Sequence, residues 1–96
     1  MEKELIVKWK IKESETPGIL TLLEELVEKT RNEPGNIFYH IYQSVENANE
    51  LILHERYVDA DAVEKHKAAD HYQKIVLEQI IPHLEIREVN LIKKLF

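Results

Sequence analysis

Three of the five histidines lie in one short segment, together with five acids and two tyrosines. The segment reads LHERYVDADAVEKHKAADHY and contains Glu55, Tyr57, His66, His71 and Tyr72. Histidine is the side chain best suited to proton transfer near neutral pH. A carboxylate can act as a general base or can orient an imidazole. The segment is therefore either an active site or the polar rim of a small domain.

The spacing of His66 and His71 sets a condition on their helices. Side chains five positions apart on one continuous helix point about 140° apart, because each residue turns about 100°. A break at Ala68-Ala69-Asp70 would let both histidines face one pocket. We expect Glu55, His66 and His71 to converge between a sheet and two short helices. The alternative is that the histidines are solvated and that Glu55 is an ordinary structural acceptor.

Other chemistries have little support in the sequence. The H-E-x-x-H zinc motif needs a helix and a histidine where Val58 stands, and the segment reads as a strand. His66, Asp70 and His71 have no diagnostic metal-ligand spacing, so we expect no metal site. The absence of cysteine excludes disulfides and thiolate catalysis by this chain.

The composition is that of an ordinary globular protein. Hydrophobic residues make up 44% and charged residues 32% of the 96 residues, and the formal net charge is −5. No basic run exceeds two residues, so a nucleic-acid partner is not expected. No apolar stretch approaches the roughly 20 residues of a membrane span. We therefore expect one domain over residues 1–96, with no membrane partner and a cytoplasmic location.

Hydrophobic periodicity predicts four strands and three helices. Leu5, Val7, Trp9 and Ile11 alternate with more polar residues, which is typical of a strand. A helix is predicted from Thr16 to about residue 31. Strands over residues 36–45 and 50–58 flank the turn ENANE and form a hairpin. Two short helices and a last strand over 86–96 follow. The order β-α-β-β-α-α-β predicts an α+β, ferredoxin-like antiparallel sheet with helices on one face.

Both faces of the two middle strands carry apolar or aromatic residues. Helices cover only one face, which leaves Phe38, Tyr42, Ile52 and Val58 on the other. Monomeric proteins rarely expose large apolar patches. A second copy of the sheet is the simplest cover, so we expect a homodimer through the sheet face.

The motifs between Glu33 and Gln73 resemble one known family. They are Pro34-Gly35, Tyr39, Glu55 with Tyr57, His66, and the pair His71-Tyr72. This pattern resembles the antibiotic biosynthesis monooxygenase (ABM) family of dimeric α/β barrels. The resemblance implies a cofactor-independent, quinol monooxygenase-like enzyme that oxidises a small electron-rich aromatic, quinol or enol. The chain has no flavin or nicotinamide motif, and we expect no cofactor.

The resemblance also assigns roles to residues. Glu55, His66 and His71 would share the proton transfers. Trp9, Tyr39, Tyr57 and Tyr72 would form an aromatic wall for the small-molecule substrate, although core packing alone would also explain Trp9 and Tyr39.

Three other functions remain open. An isomerase or proton-transfer enzyme acting on a small hydroxyketone or dicarbonyl would use the same residues without oxygen. A non-enzymatic small-molecule-binding domain needs only the pocket. Haem degradation is disfavoured, because His66 and Val76 stand nearest the positions where haem-degrading relatives have a tryptophan and the haem ligand.

Overall fold

The computed structural model describes residues 1–96 and contains one four-stranded antiparallel sheet. The strands are β1 (Lys3–Ile11), β2 (Asn36–Gln43), β3 (Glu50–Tyr57) and β4 (Leu84–Ile92), in the spatial order β2-β3-β1-β4. The helices are α1 (Thr16–Leu20), α2 (Leu23–Arg31), α3 (Ala60–Ala68) and α4 (Tyr72–Ile80). The predicted ferredoxin-like α+β fold is confirmed.

The inner face of the sheet packs against the helices. β1 buries every second residue, namely Leu5, Val7, Trp9 and Ile11, and β3 buries Leu51, Leu53, Glu55 and Tyr57. Each large apolar side chain buried in this way stabilises the fold by about 1.5–3 kcal/mol. Glu55 is the one acid among these eight residues, so the sheet itself holds a carboxylate at the edge of the core.

The chain breaks between α3 and α4 at Ala69. Asp59 begins α3 by accepting a hydrogen bond from the Ala62 N–H at 2.8 Å. Ala69 has extended backbone angles (φ −67°, ψ 146°), and helical structure resumes at Asp70. α4 then takes the wider π-helical form, which is rare and common at functional sites. The break changes the direction of the chain between His66 and His71.

Several boundaries differ from those predicted. The first helix divides at Thr21 and Leu22 into α1 and α2, and β4 ends at Ile92. β2 has an irregularity between Asn36 and Phe38, where the register with β3 shifts. Such a bulge redirects a side chain. Ile37 is therefore 44% exposed, although strand alternation predicted that it would lie on the same face as Tyr39.

The outer face of the sheet has no helix against it, as predicted, but it is more charged than the sequence suggested. Phe38, Tyr42 and Ile52 lie there among ion pairs such as His54–Glu4, Lys8–Glu50 and Arg56–Glu2. Val58 follows the end of β3 and is 44% exposed. None of the helices is long and apolar enough to cross a membrane.

Candidate functional site

A small cavity lies between the inner face of the sheet and the helices α3 and α4. Its volume is about 50 Å³. The four aromatic residues expected to contact substrate line it, as do two of the three expected catalytic residues: Trp9, Tyr39, Tyr57, Tyr72, Glu55 and His66. His71 does not line this cavity and lies behind His66. We call this space the inner cavity.

Glu55 is held against the inner cavity by the alternation of β3. It is 6% exposed, and its Oε1 accepts a hydrogen bond from the Tyr57 hydroxyl at 2.8 Å. Burial raises the pKa of the Glu55 carboxyl above its ordinary value, and the nearby Glu33 charge adds to the rise. The Tyr57 bond and the nearby His66 act in the opposite direction. A carboxyl with a raised pKa takes up a proton more readily than an exposed one.

Tyr39 and Tyr57 are fully buried beside this acid. Desolvation, followed by the Glu55 charge, raises the pKa of both phenols well above the ordinary value. The raised pKa favours the protonated form of both hydroxyls. They are hydrogen-bond donors and not proton acceptors.

His66 is oriented by an acid that lies far away in the sequence. Its Nδ1 lies 2.7 Å from Oε2 of Glu33. An ionised carboxylate only accepts hydrogen bonds, so His66 donates through Nδ1, and Nε2 is the ring nitrogen that is not bonded to Glu33. The ring centroid lies 5.1 Å from that of Tyr72, 5.3 Å from Tyr57 and 5.8 Å from Tyr39. The imidazole is thus enclosed by phenol rings.

His71 reaches the same carboxylate oxygen. Its Nε2 lies 2.5 Å from Glu33 Oε2, and the two imidazole centroids are 6.0 Å apart. The break at Ala69 brings both histidines to one group, as the spacing required. His71 therefore acts on the cavity through Glu33 and His66, and not by lining it.

Glu33 joins the two histidines, and the sequence patterns assigned it no role. It lies in the turn between α2 and β2, directly before Pro34 and Gly35. A Cβ on Gly35 would lie 2.4 Å from the Ala62 Cβ, so the glycine lets α3 pack closely on this turn. No pattern in the sequence of this turn indicates that Glu33 contacts the two histidines.

Glu33, His66 and His71 also have the residue types of a metal site. Their ligand atoms lie within 4.8 Å of one another. Two histidines and a carboxylate bind several divalent metals. Two short hydrogen bonds join these three ligand atoms in the structure. Asp70, which the sequence offered as a possible ligand, is not part of this group.

Trp9 provides an unpaired donor at the inner cavity. Its side chain is 3% exposed, and its Nε1 has no hydrogen-bond partner in the protein. Buried polar atoms are nearly always paired, so this N–H is available to an acceptor on a bound molecule.

A larger space adjoins the inner cavity. This outer chamber has a volume of about 360 Å³ and shares five lining residues with the inner cavity: Leu5, Val63, Lys67, Arg87 and Val89. The largest cavity of the protein, about 640 Å³, is an open groove between α2 and β2 and β3. No histidine and no buried acid lines that groove.

Comparisons with known proteins give a consistent result. A family model described as "Antibiotic biosynthesis monooxygenase" matches residues 4–77. A solved structure named as an antibiotic biosynthesis monooxygenase is 27% identical, with a TM-score of 0.90 and 99% of each chain covered. No curated protein matches the chain.

Two further structures have the same fold. A conserved protein from Methanosarcina mazei is 26% identical, with a TM-score of 0.87 over 98% of this chain and 93% of its own. A protein from Mycobacterium tuberculosis is 24% identical, with a TM-score of 0.88 over 100% of this chain and 97% of its own.

Proposed function

Because this chain belongs to the antibiotic biosynthesis monooxygenase family, we propose that it is a cofactor-independent monooxygenase of small electron-rich phenols, quinols or enols. The observation that carries the proposal is the buried Glu55, bonded to Tyr57 at 2.8 Å, beside His66 and an aromatic-lined cavity. Such a site supplies a base, donors for an oxyanion and a water-poor environment.

The chemistry begins with removal of the hydroxyl proton. The resulting anion passes one electron to O₂, and the two radicals combine to form a C–O bond at a ring carbon that carries a hydrogen. The peroxide anion then takes back the proton that the base removed and becomes a hydroperoxide. The hydroperoxide then loses water, so that one oxygen atom becomes the new carbonyl and the other leaves in the water. The substrate supplies all the electrons, and no separate reductant is consumed.

The side chains divide this work. Glu55 and the free Nε2 of His66 accept the substrate proton. Glu33 fixes the His66 tautomer, and His71 fixes the position of Glu33. The unpaired Trp9 N–H donates to the developing oxyanion, while the Tyr57 hydroxyl donates to Glu55 and holds it in place. The rings of Tyr39 and Tyr72 exclude water and contact the substrate.

The active unit in this proposal is a homodimer formed through the outer face of the sheet. Tyr42 is 56% exposed and Ile92 41% exposed, while Phe38 stacks on His40 with ring centroids 5.0 Å apart. A second copy would cover these rings, and the ion pairs on the same face would fix its orientation.

Oxygen consumption tests the reaction. A suitable probe is 1,8-dihydroxyanthrone, whose enol form is electron-rich. We expect one O₂ consumed per anthraquinone formed, one atom of ¹⁸O in the product, and no effect of catalase because no peroxide is released. Glu55→Gln should abolish most of this uptake, while Glu24→Gln, on the exposed face of α2, should not.

A different result would favour another function. Rearrangement of a hydroxyketone under nitrogen, with no oxygen uptake on any phenol, would identify an isomerase. Tight binding of one metabolite without turnover would identify a binding domain. In either case the monooxygenase proposal would be wrong.

A further inference from the structure

The outer chamber has a charge opposite to that of the whole chain. Its lining contains the three cations Lys3, Lys67 and Arg87 and only one acid, Glu64, although the formal net charge is −5. The cleft on the other side of Glu33 is instead acidic, with Asp59 and Asp61 beside a single cation, Lys65. Clefts lined by one sign of charge attract ligands of the opposite sign. The outer chamber therefore favours an anion.

Arg87 is free to bind such an anion. It lies on the inner face of β4, directly opposite Trp9 on β1, and lines both the inner cavity and the outer chamber. It takes part in none of the salt bridges of the protein. The planar guanidinium matches a carboxylate with two parallel hydrogen bonds.

Lys67 is the second cation at the junction of the two spaces. Its one ion pair, with Glu64, is long at 3.6 Å, and the side chains are 53% and 73% exposed. Exposed pairs of this kind contribute little. Lys67 can therefore turn to a ligand at small cost.

The volumes of the inner cavity and the outer chamber determine which part of a substrate can enter each of them. The inner cavity, at about 50 Å³, admits one small group, whereas the outer chamber, at about 360 Å³, falls in the range of small-molecule sites. Glu55 and Trp9, whose N–H is unpaired, both line the inner cavity, and a base beside a free donor suits a hydroxyl group that is losing its proton.

We propose that the substrate is an aromatic or enolic acid, whose carboxylate binds Arg87 and Lys67 in the outer chamber while its reacting hydroxyl enters the inner cavity. The fate of the hydroxyl rests on the proposed monooxygenase function, whereas the binding of the carboxylate does not. The two cations also offset the repulsion between the ionised Glu55 and the carboxylate of an incoming substrate.

Binding under argon tests this without turnover. Calorimetric titrations would compare 2-naphthol with 3-hydroxy-2-naphthoate and 6-hydroxy-2-naphthoate, which add a carboxylate near to or far from the hydroxyl. We expect at least one acid to bind about tenfold or more tightly than 2-naphthol, with an affinity that falls as salt is added. The preference should shrink about tenfold in Arg87→Gln and less in Lys67→Gln. Lys12→Gln removes an exposed cation outside both spaces and should leave the preference intact.

The proposal is wrong if 2-naphthol binds as tightly as both acids, if Arg87→Gln keeps the preference, or if none of the three compounds binds. A retained preference for the acid, without oxygen uptake on any substrate, would reject the monooxygenase function and leave the anion site standing. Oxygen uptake on neutral phenols, with no preference for acids, would support the monooxygenase function and reject the anion site.

Discussion

Nδ1 of His66 lies 2.7 Å from Oε2 of Glu33, although the two residues are 33 positions apart in the chain. The same oxygen receives Nε2 of His71 at 2.5 Å. One acid in the turn between α2 and β2 thus holds two imidazoles from two helices. Glu33, His66 and His71 thus form one hydrogen-bonded unit, with Glu33 at its centre.

Glu33→Gln should lower kcat by about 10²-fold, because the amide leaves the His66 tautomer undefined. The fold should survive, since the amide is nearly isosteric. Nitrogen NMR of the imidazoles would show a mixture of His66 tautomers in place of one. Glu24→Gln, an exposed acid on α2, is the matched control. An unchanged tautomer and an unchanged kcat would show that Glu33 only fills space.

Glu55 should set the acid limb of the pH–rate profile. Burial raises the pKa of its carboxyl, so the ionised base forms only above the ordinary value of 4.5. We expect kcat/KM to rise with pH through that raised value. Glu55→Gln should lower turnover by about 10²- to 10⁴-fold, as should His66→Ala, and the Gln variant should lose this limb. A limb that persists in Glu55→Gln would assign the base to another residue.

The same raised pKa predicts the direction in which stability depends on pH. The folded state disfavours the ionised carboxyl, so the contribution of Glu55 is present below its ordinary value of 4.5 and is lost as pH rises through the raised value. Urea unfolding between about pH 4 and pH 8 should therefore show a decline that Glu55→Gln reduces. Glu28→Gln, exposed on α2, should retain the decline. Parallel curves for wild type and Glu55→Gln would contradict the raised pKa.

Light scattering at micromolar concentration should give about twice the chain mass of 11.4 kDa if the sheet faces pair. Phe38→Asp places a charge between His40 and His54, whose ring centroids lie 5.0 and 4.7 Å away. Because the dimer would bury that charge unpaired, we expect a monomer, low solubility or loss of folding; Ile52→Asp should act likewise. Val45→Asp, in the fully exposed turn before β3, is the control. A wild-type monomer would refute pairing.

Side-chain alternation made much of the fold predictable from the sequence. The inner faces of β1 and β3 follow directly from period two, and the same alternation puts Glu55 on the inner face with Leu53. The break at Ala69 was also predictable, because two histidines five positions apart can face one group only if the helix is interrupted between them. These features depend on residues near one another in the chain.

The rest depends on residues far apart. Glu33 is hydrogen-bonded to His66 and His71, which lie 33 and 38 positions away in the sequence. Neither the turn nor the helices contain a sequence pattern that predicts these contacts. The exposure of Ile37 arises from a register shift against β3, which alternation within β2 cannot reveal. The outer chamber likewise is lined by residues of β1, α3 and β4, which are far apart in the sequence.

Gly35→Ala should destabilise the protein and impair the site together. The added Cβ would lie 2.4 Å from the Ala62 Cβ and 3.4 Å from its Cα, so α3 would have to move away from the turn. Forced shifts of this kind cost about 1–3 kcal/mol in the free energy of unfolding. Because α3 carries His66 and the turn carries Glu33, kcat should fall as well.

Gly18→Ala is the matched control, since nothing lies within 4 Å of a Cβ at that position in α1. It should stabilise the protein by about 0.5–1 kcal/mol, because alanine loses less conformational freedom in a helix. The double variant Gly35→Ala with Ala62→Gly removes the clash and should recover part of the lost kcat. Urea unfolding and oxygen uptake would be measured on all three variants. A Gly35→Ala protein as stable and as active as wild type would show that the close contact between the turn and α3 does not position Glu33.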